Sequence, residues 1–274
     1  MLSSEYPPKA TIIERSVFVI GPNIHTPAEG VKDFGPLTRF GAPVTFRCMD
    51  TNIMTDAPFD ITEEGVFEAL NVNRRNPTIE RAVREAIEAV KGIARPKVLY
   101  KISYIDRRGD DSLVIDGVEF KSRILRINME KAERVFPYVA TAGRELESLS
   151  MPKDDFMKTF CVDAVKELVL NSAVGHFERR LAEIYALGSM AHMNPGSLAD
   201  WPVSEQPKLF DLFGSVEHLI GVKLRESHLM DPLKSVSGIY FPTEVDFRSC
   251  MLCPRHSCIR RRAEYDPHMA ARYR

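Results

Sequence analysis

Net charge is almost absent from this chain: 37 Lys and Arg face 38 Asp and Glu, leaving −1 over 274 residues. A near-neutral molecule exerts no global pull on nucleic acid or on an anionic membrane. Long apolar runs are missing too; none approaches the roughly 18 residues that a membrane span needs. The first residues, Met1 to Lys9, lack the basic-then-apolar pattern of a secretory leader. There is no internal repeat and no low-complexity tract. These absences predict a globular protein of the cytoplasm with no membrane partner, long enough for one large domain or two ordinary ones.

Cysteine is scarce but unevenly spread. Three of the five fall in Cys250-Met-Leu-Cys253-Pro-Arg-His-Ser-Cys258, while Cys48 and Cys161 lie far away. Thiolates this close in sequence can converge on one soft metal. The spacing suits zinc, with His256 completing a Cys3His set, or an iron–sulfur cluster whose fourth ligand comes from elsewhere, Cys48 included. The plain alternative is three unrelated thiols on a tail. A metal here implies a reducing compartment. From Cys250 to Arg274 six arginines stand against Glu264 and Asp266, a net of +4. Such a tail can dock an acidic partner such as an electron carrier. With a zinc knuckle it can instead grip RNA phosphates, although the rest of the chain carries no basic, aromatic-rich surface signature.

Three stretches organise the chain. Residues 1–57, rich in Pro and Gly, read as an N-terminal arm or extra strand region, with one strand in Thr11–Ile20 stopped by Gly21-Pro22. Residues 58–247 carry the clear periodicities. Asn76-Pro77 opens a helix, with apolar residues at Ile79, Ala82, Val83, Ala86, Ile87 and Val90 and a stop at Gly92. Val98–Ile105 is a strand, and Leu113–Phe120 a hairpin turning at Asp116-Gly117. Arg123–Ile127 and Val135–Val139 are further short strand candidates. Lys153–Leu187 predicts a long helix, broken near Gly175, that buries Phe156, Phe160, Ala164, Leu168, Phe177, Leu181 and Ile184. Val222–Phe241 predicts two strands about Met230-Asp-Pro232. Helices and strands mix without a βαβ rhythm, which predicts an α+β fold with a largely antiparallel sheet and packed helices. Residues 248–274 form the cysteine- and arginine-rich tail.

Three runs in order carry a resemblance. Pro96–Tyr100 leads into Ile115-Asp-Gly117 and Val139–Glu147. Asn194-Pro-Gly-Ser-Leu-Ala-Asp-Trp-Pro-Val203 precedes Glu205-Gln206 and Leu209-Phe210. Ile220–Ser227 precedes Met230-Asp-Pro232 and Lys234–Gly238. Together, over roughly residues 58–247, they resemble the activation (reactivation) domain of cobalamin-dependent methionine synthase, and especially its stand-alone relatives.

The resemblance implies a C-shaped α+β domain with a twisted antiparallel sheet. It also implies an accessory role in corrinoid-dependent methyl transfer. S-adenosylmethionine and an electron from a flavodoxin- or ferredoxin-like donor would restore a Co(II) cobalamin presented by a partner corrinoid protein or methionine synthase module. By the same resemblance His192, Asn194, Pro195, Gly196, Ser197, Trp201, Ser235, Ser237 and Gly238 are the cofactor-binding candidates. Two positions depart from the family: His192 stands where an arginine is expected to fix the S-adenosylmethionine carboxylate, and Ser197 where a tyrosine is expected. Asn171 stands near the place of an expected acid on the long helix, and Phe247 is the nearest match to an expected tyrosine pair. An iron–sulfur site at the cysteines would fit the need for electrons. An electron-transfer or scaffold subunit that does not use S-adenosylmethionine is the alternative.

Overall fold

The computed structural model describes residues 12–13, 51–72, 74–149, 155–255, 257–258 and 261–273. In chain order the strands are β1 (Ile12–Ile13), β2 (Thr51–Thr55), β3 (Lys97–Lys101), β4 (Ser103–Arg108), β5 (Ser112–Ile115), β6 (Val118–Lys121), β7 (Arg134–Thr141), β8 (Met190–Met193), β9 (Lys223–Leu224), β10 (Met230–Asp231) and β11 (Ser235–Pro242). The helices are α1 (Glu63–Leu70), α2 (Pro77–Ile93), α3 (Arg123–Asn128), α4 (Phe156–Ile184), α5 (Gln206–Asp211), α6 (Val216–Ile220), α7 (Ser249–Leu252) and α8 (Pro267–Arg272).

Capping residues set the helix starts. Asn76 accepts from the Ile79 N–H at 3.0 Å with Pro77 at the first helical position, as expected for α2. Thr62 and Asp155 cap α1 and α4 in the same way. The strand expected at Arg123–Ile127 is instead α3, because the Ser122 hydroxyl accepts from the Leu125 N–H at 2.9 Å and commits the backbone to a turn. α4 runs unbroken through Gly175. Its buried stripe also differs from the expected one. Val162, Val165, Val169, Ala173, Phe177 and Leu181 face inward, whereas Phe156, Phe160 and Ile184 are exposed. Thr11–Ile20 lies outside the described residues except for β1.

Among the described residues nine strands form one sheet, and every pairing in it is antiparallel. β7 is its centre. One edge of β7 pairs with β3 and then β4, which are nearly continuous; the other edge pairs with β11, which in turn holds β8. Alternating side chains then feed two cores. Phe136, Tyr138 and Ala140 of β7, with Val98, Tyr100 and Tyr240, pack against α1, α2 and α4. Val135 and Val139, with Leu99, Ile239 and Phe241, pack on the other face against Trp201, Leu209 and Phe213. Residues of the cysteine-rich tail, Leu252, Cys253, Met269 and Tyr273, pack onto this second core. No described helix is long and apolar enough to cross a membrane.

One ion pair ties the sheet to its hairpin. Lys101 is 1% exposed; its ammonium lies 2.7 Å from Asp116 Oδ2 and donates to the Leu212 carbonyl at 3.2 Å. Asp116 and Gly117 both have positive φ, 45° and 82°, the backbone of a tight hairpin turn that an Asp-Gly pair supplies. Burial opposes ionisation of Asp116, but hydrogen bonds from Lys101 and Ser103 outweigh it and hold the carboxyl below its ordinary value. Lys101→Met should therefore cost about 3–5 kcal/mol, because it strands a buried carboxylate. Adding Asp116→Asn should restore much of that loss, with both effects measured by urea unfolding.

Candidate functional site

β8 ends at Met193, and the next residue locks three strands together. Asn194 Nδ2 donates to the Tyr138 hydroxyl at 2.9 Å and to the Ser237 carbonyl at 2.7 Å. The crossing is close because position 238 has no side chain. A Cβ built on Gly238 would lie 2.5 Å from Asn194 Nδ2 and 2.5 Å from the Met193 carbonyl oxygen. Gly238 thus serves the fold directly, by admitting Asn194.

The chain then turns sharply. Gly196, at φ +84°, donates its N–H to the Trp201 carbonyl at 2.8 Å, and Ser197 donates to the Asn194 carbonyl at 3.1 Å. Both amides are therefore used inside the turn. Gly196 and Ser197 are exposed and Pro195 is half-buried. Trp201 is fully buried in the second core, edge-on to Phe120 at 6.2 Å, and its indole N–H has no partner among the described residues. It anchors the loop from below. Asp200 adds a second anchor that sequence reasoning missed: its carboxylate accepts from the Ile124 N–H at 3.0 Å and from the Ser122 hydroxyl, at the start of α3.

The candidates on β11 divide. Ser237 is 2% exposed and donates to Gln206 Oε1 at 3.2 Å, and Gln206 Nε2 in turn donates to the His228 carbonyl at 2.8 Å. This buried relay fastens β11 to α5. Ser235 is half-buried and donates to Thr141 Oγ1 at 3.0 Å.

Beneath the loop runs a column of rings. His192 packs on Tyr240 at 4.9 Å, Tyr240 on Tyr138 at 4.9 Å, and Tyr138 on Phe177 at 5.7 Å. The Tyr240 hydroxyl donates to Glu178 at 3.2 Å, so the acid that α4 directs at this cluster is Glu178, while Asn171 is exposed. Burial, then the charges of Arg262 and Arg248, push His192 down to about 4, which leaves a neutral imidazole at physiological pH. Burial pushes the Tyr138 hydroxyl up to about 12 against the opposing pull of the Asn194 hydrogen bond and Arg262. Tyr240 is raised further, by burial and then by Tyr138 and Glu178. Phe247 is buried against Tyr273, with ring centroids 5.7 Å apart.

The cysteine-rich segment is organised differently from the metal site its spacing suggests. Cys250, Cys253 and Cys258 are free and half-buried, and among the described residues no group of three His, Cys, Asp or Glu is placed to hold a metal ion. The centre of the loop is a guanidinium. Arg261 donates to the carbonyls of Cys250 at 3.1 Å, Cys253 at 3.0 Å and Ala263 at 3.0 Å, and to that of Arg255. A cation that collects carbonyls in this way shapes the backbone without calling on the thiols. Neither zinc nor an iron–sulfur cluster is supported by this arrangement. His256 and Cys48 lie outside the described residues.

A crystal structure of the MetH reactivation domain bound to AdoHcy matches this chain with a TM-score of 0.51 at 18% identity, over 72% of this chain and 81% of that one. The two share a fold. No family model and no curated protein matches the sequence. The match bears out the α+β architecture with an antiparallel sheet and packed helices that the element pattern predicts.

Two outcomes follow from this geometry. Gly238→Ala should destabilise by about 3 kcal/mol, since overpacking here displaces backbone as well as side chain. Gly92→Ala, whose Cβ meets nothing within 4 Å, should stabilise by about 0.5–1 kcal/mol; thermal melts compare the two. His192 binds a proton less tightly folded than unfolded, so its contribution is full above about pH 6.5 and declines as pH falls towards 4, by on the order of 2–3 kcal/mol. His192→Gln should flatten that acid loss in urea unfolding at pH 7 and pH 4.5; equal losses in both proteins would refute the assignment.

Proposed function

We propose that this chain is an accessory protein of corrinoid-dependent methyl transfer, which reactivates Co(II) cobalamin on a partner protein by reductive methylation with S-adenosylmethionine. One observation carries the reading: over 72% of the chain the fold is that of a MetH reactivation domain solved with AdoHcy, the molecule left when S-adenosylmethionine gives up its methyl group.

The corrinoid belongs to the partner and is here a substrate, as is the electron, which a flavodoxin- or ferredoxin-like protein would deliver. One electron takes the cobalt from Co(II) to Co(I). The Co(I) electron pair then forms the Co–C bond while the S–C bond breaks and its pair stays on sulfur. The chain's own task is positioning, which holds the sulfonium methyl in line with the cobalt face.

The residues after β8 suit that task. The Asn194 clamp and the Trp201 anchor fix the loop, so its exposed Gly196-Ser197 tip is presented on a rigid base. With only a hydroxymethyl group at Ser197 and none at Gly196, the tip leaves room for a bulky nucleoside. The neutral His192 imidazole offers a lone pair to an ammonium group.

Equilibrium dialysis should show saturable S-adenosylmethionine binding, weakened roughly tenfold or more by Asn194→Leu as the loop loses its tether. With a cob(II)alamin-loaded corrinoid protein, a reduced flavodoxin and S-adenosylmethionine under anaerobic conditions, the Co(II) spectrum should give way to that of methyl-Co(III) only when this chain is added. Absence of both binding and spectral change would end the proposal.

A further inference from the structure

At the end of β8 away from Asn194 the surface opens into a cleft of about 460 Å³, within the ~300–1,000 Å³ of sites that hold small molecules. One wall is the end of α3 and the link to β7, residues 127–132; the other is formed where the chain enters β8 and leaves β11. The Thr243 N–H donates to the Ser189 carbonyl at 3.0 Å and holds that second wall together. Ser189 precedes β8 and Asn194 follows it, which puts on the order of 15 Å of extended backbone between the cleft and the Asn194 loop.

The lining divides into apolar surface and a charged rim. Ile127, Ala132, Pro242 and Val245 supply the apolar part, and Val245 is left 46% exposed. At the rim one charge of each sign stands on each wall: Lys131 Nζ lies 3.4 Å from Glu244 Oε2. Both side chains are almost wholly exposed, at 86% and 87%, so water screens the pair and parting it costs the fold little. Glu130, also in the lining, is already matched by Arg126 one turn earlier. Asn128 is oriented by the Tyr273 hydroxyl, which donates to its Oδ1 at 2.5 Å. Its Nδ2 is left with the Met193 sulfur at 3.5 Å, a weak acceptor.

We propose that this cleft binds a free α-amino acid with an aliphatic side chain. The zwitterion fits the rim because each rim charge exchanges one opposite charge for another: the ligand carboxylate takes the place of Glu244 at Lys131, and its ammonium takes the place of Lys131 at Glu244. The aliphatic side chain then covers Val245 and Ile127, and Asn128 Nδ2 can donate to the carboxylate. A ligand with a single charge would engage one rim residue and separate the other from its present partner, so the pair selects for both ends of the molecule. The inference does not rest on the corrinoid reading and uses none of the residues assigned there.

An NMR titration of the full chain with L-leucine should show saturable binding at or below about 1 mM, with the amide shifts centred on Ser189 and Val245. N-acetyl-L-leucine lacks the ammonium and L-leucinamide lacks the carboxylate; each should bind roughly tenfold or more weakly. Lys131→Gln should weaken leucine by a similar factor while leucinamide binds as before, and Glu244→Gln should spare N-acetyl-leucine instead. Melting curves of both variants should match the unaltered protein, since the pair is exposed. No saturable binding, shifts centred elsewhere, equal affinity for leucine and its capped forms, or undiminished leucine affinity in both variants would overturn the proposal. Because these probes carry no nucleoside and meet no corrinoid, each of those results would leave the functional reading above standing.

Discussion

A strand buried on both faces and paired on both edges leaves its neighbours little freedom, and β7 is that strand. From Val135 to Thr141 every residue is buried. Its edges are occupied by β3, β4 and β11, so each later element is placed by reference to it. A one-residue slip would exchange Tyr138 for Val139 and turn each core inside out. The register of this strand is therefore fixed by two cores at once.

The loop after β8 inherits that precision. Asn194 reads the position of Tyr138 through its hydroxyl and that of β11 through the Ser237 carbonyl. Gly238 permits the approach. On the opposite face Trp201 and Asp200 hold the far end of the same loop. A short, polar, exposed tip is thus supported by buried residues on both sides of the sheet. Such support is what a segment must have if it is to orient a reacting group.

Much of the scaffold was legible because its signals are local. The Asn76-Pro77 start of α2, the Asp116-Gly117 hairpin and the apolar run of β7 each announce themselves within a few residues. Where two local signals compete, apolar bulk is the poorer guide. At 123–127 the apolar run suggested a strand, while the Ser122 cap decided for helix. On α4 the bulk of Phe156 and Phe160 drew attention from the smaller stripe of Val162, Val165 and Val169, which has the right spacing and is the one buried. The long-range pairs were not legible at all. Nothing near Asn194 encodes Tyr138, and nothing near Ser237 encodes Gln206, because such pairs exist only once the register is set. The cysteine spacing was visible, but the capture of its carbonyls by Arg261 depends on how the backbone folds back.

The pairing of Tyr138 with Gly238 has a consequence for biosynthesis, because the two halves of that ladder leave the ribosome a hundred residues apart. At typical translation rates of about 5–20 residues per second, β7 emerges roughly 5 to 20 seconds before β11 can cover it. Throughout that interval the nascent polypeptide carries an apolar strand with one edge open, the kind of surface that chaperones shield until synthesis catches up.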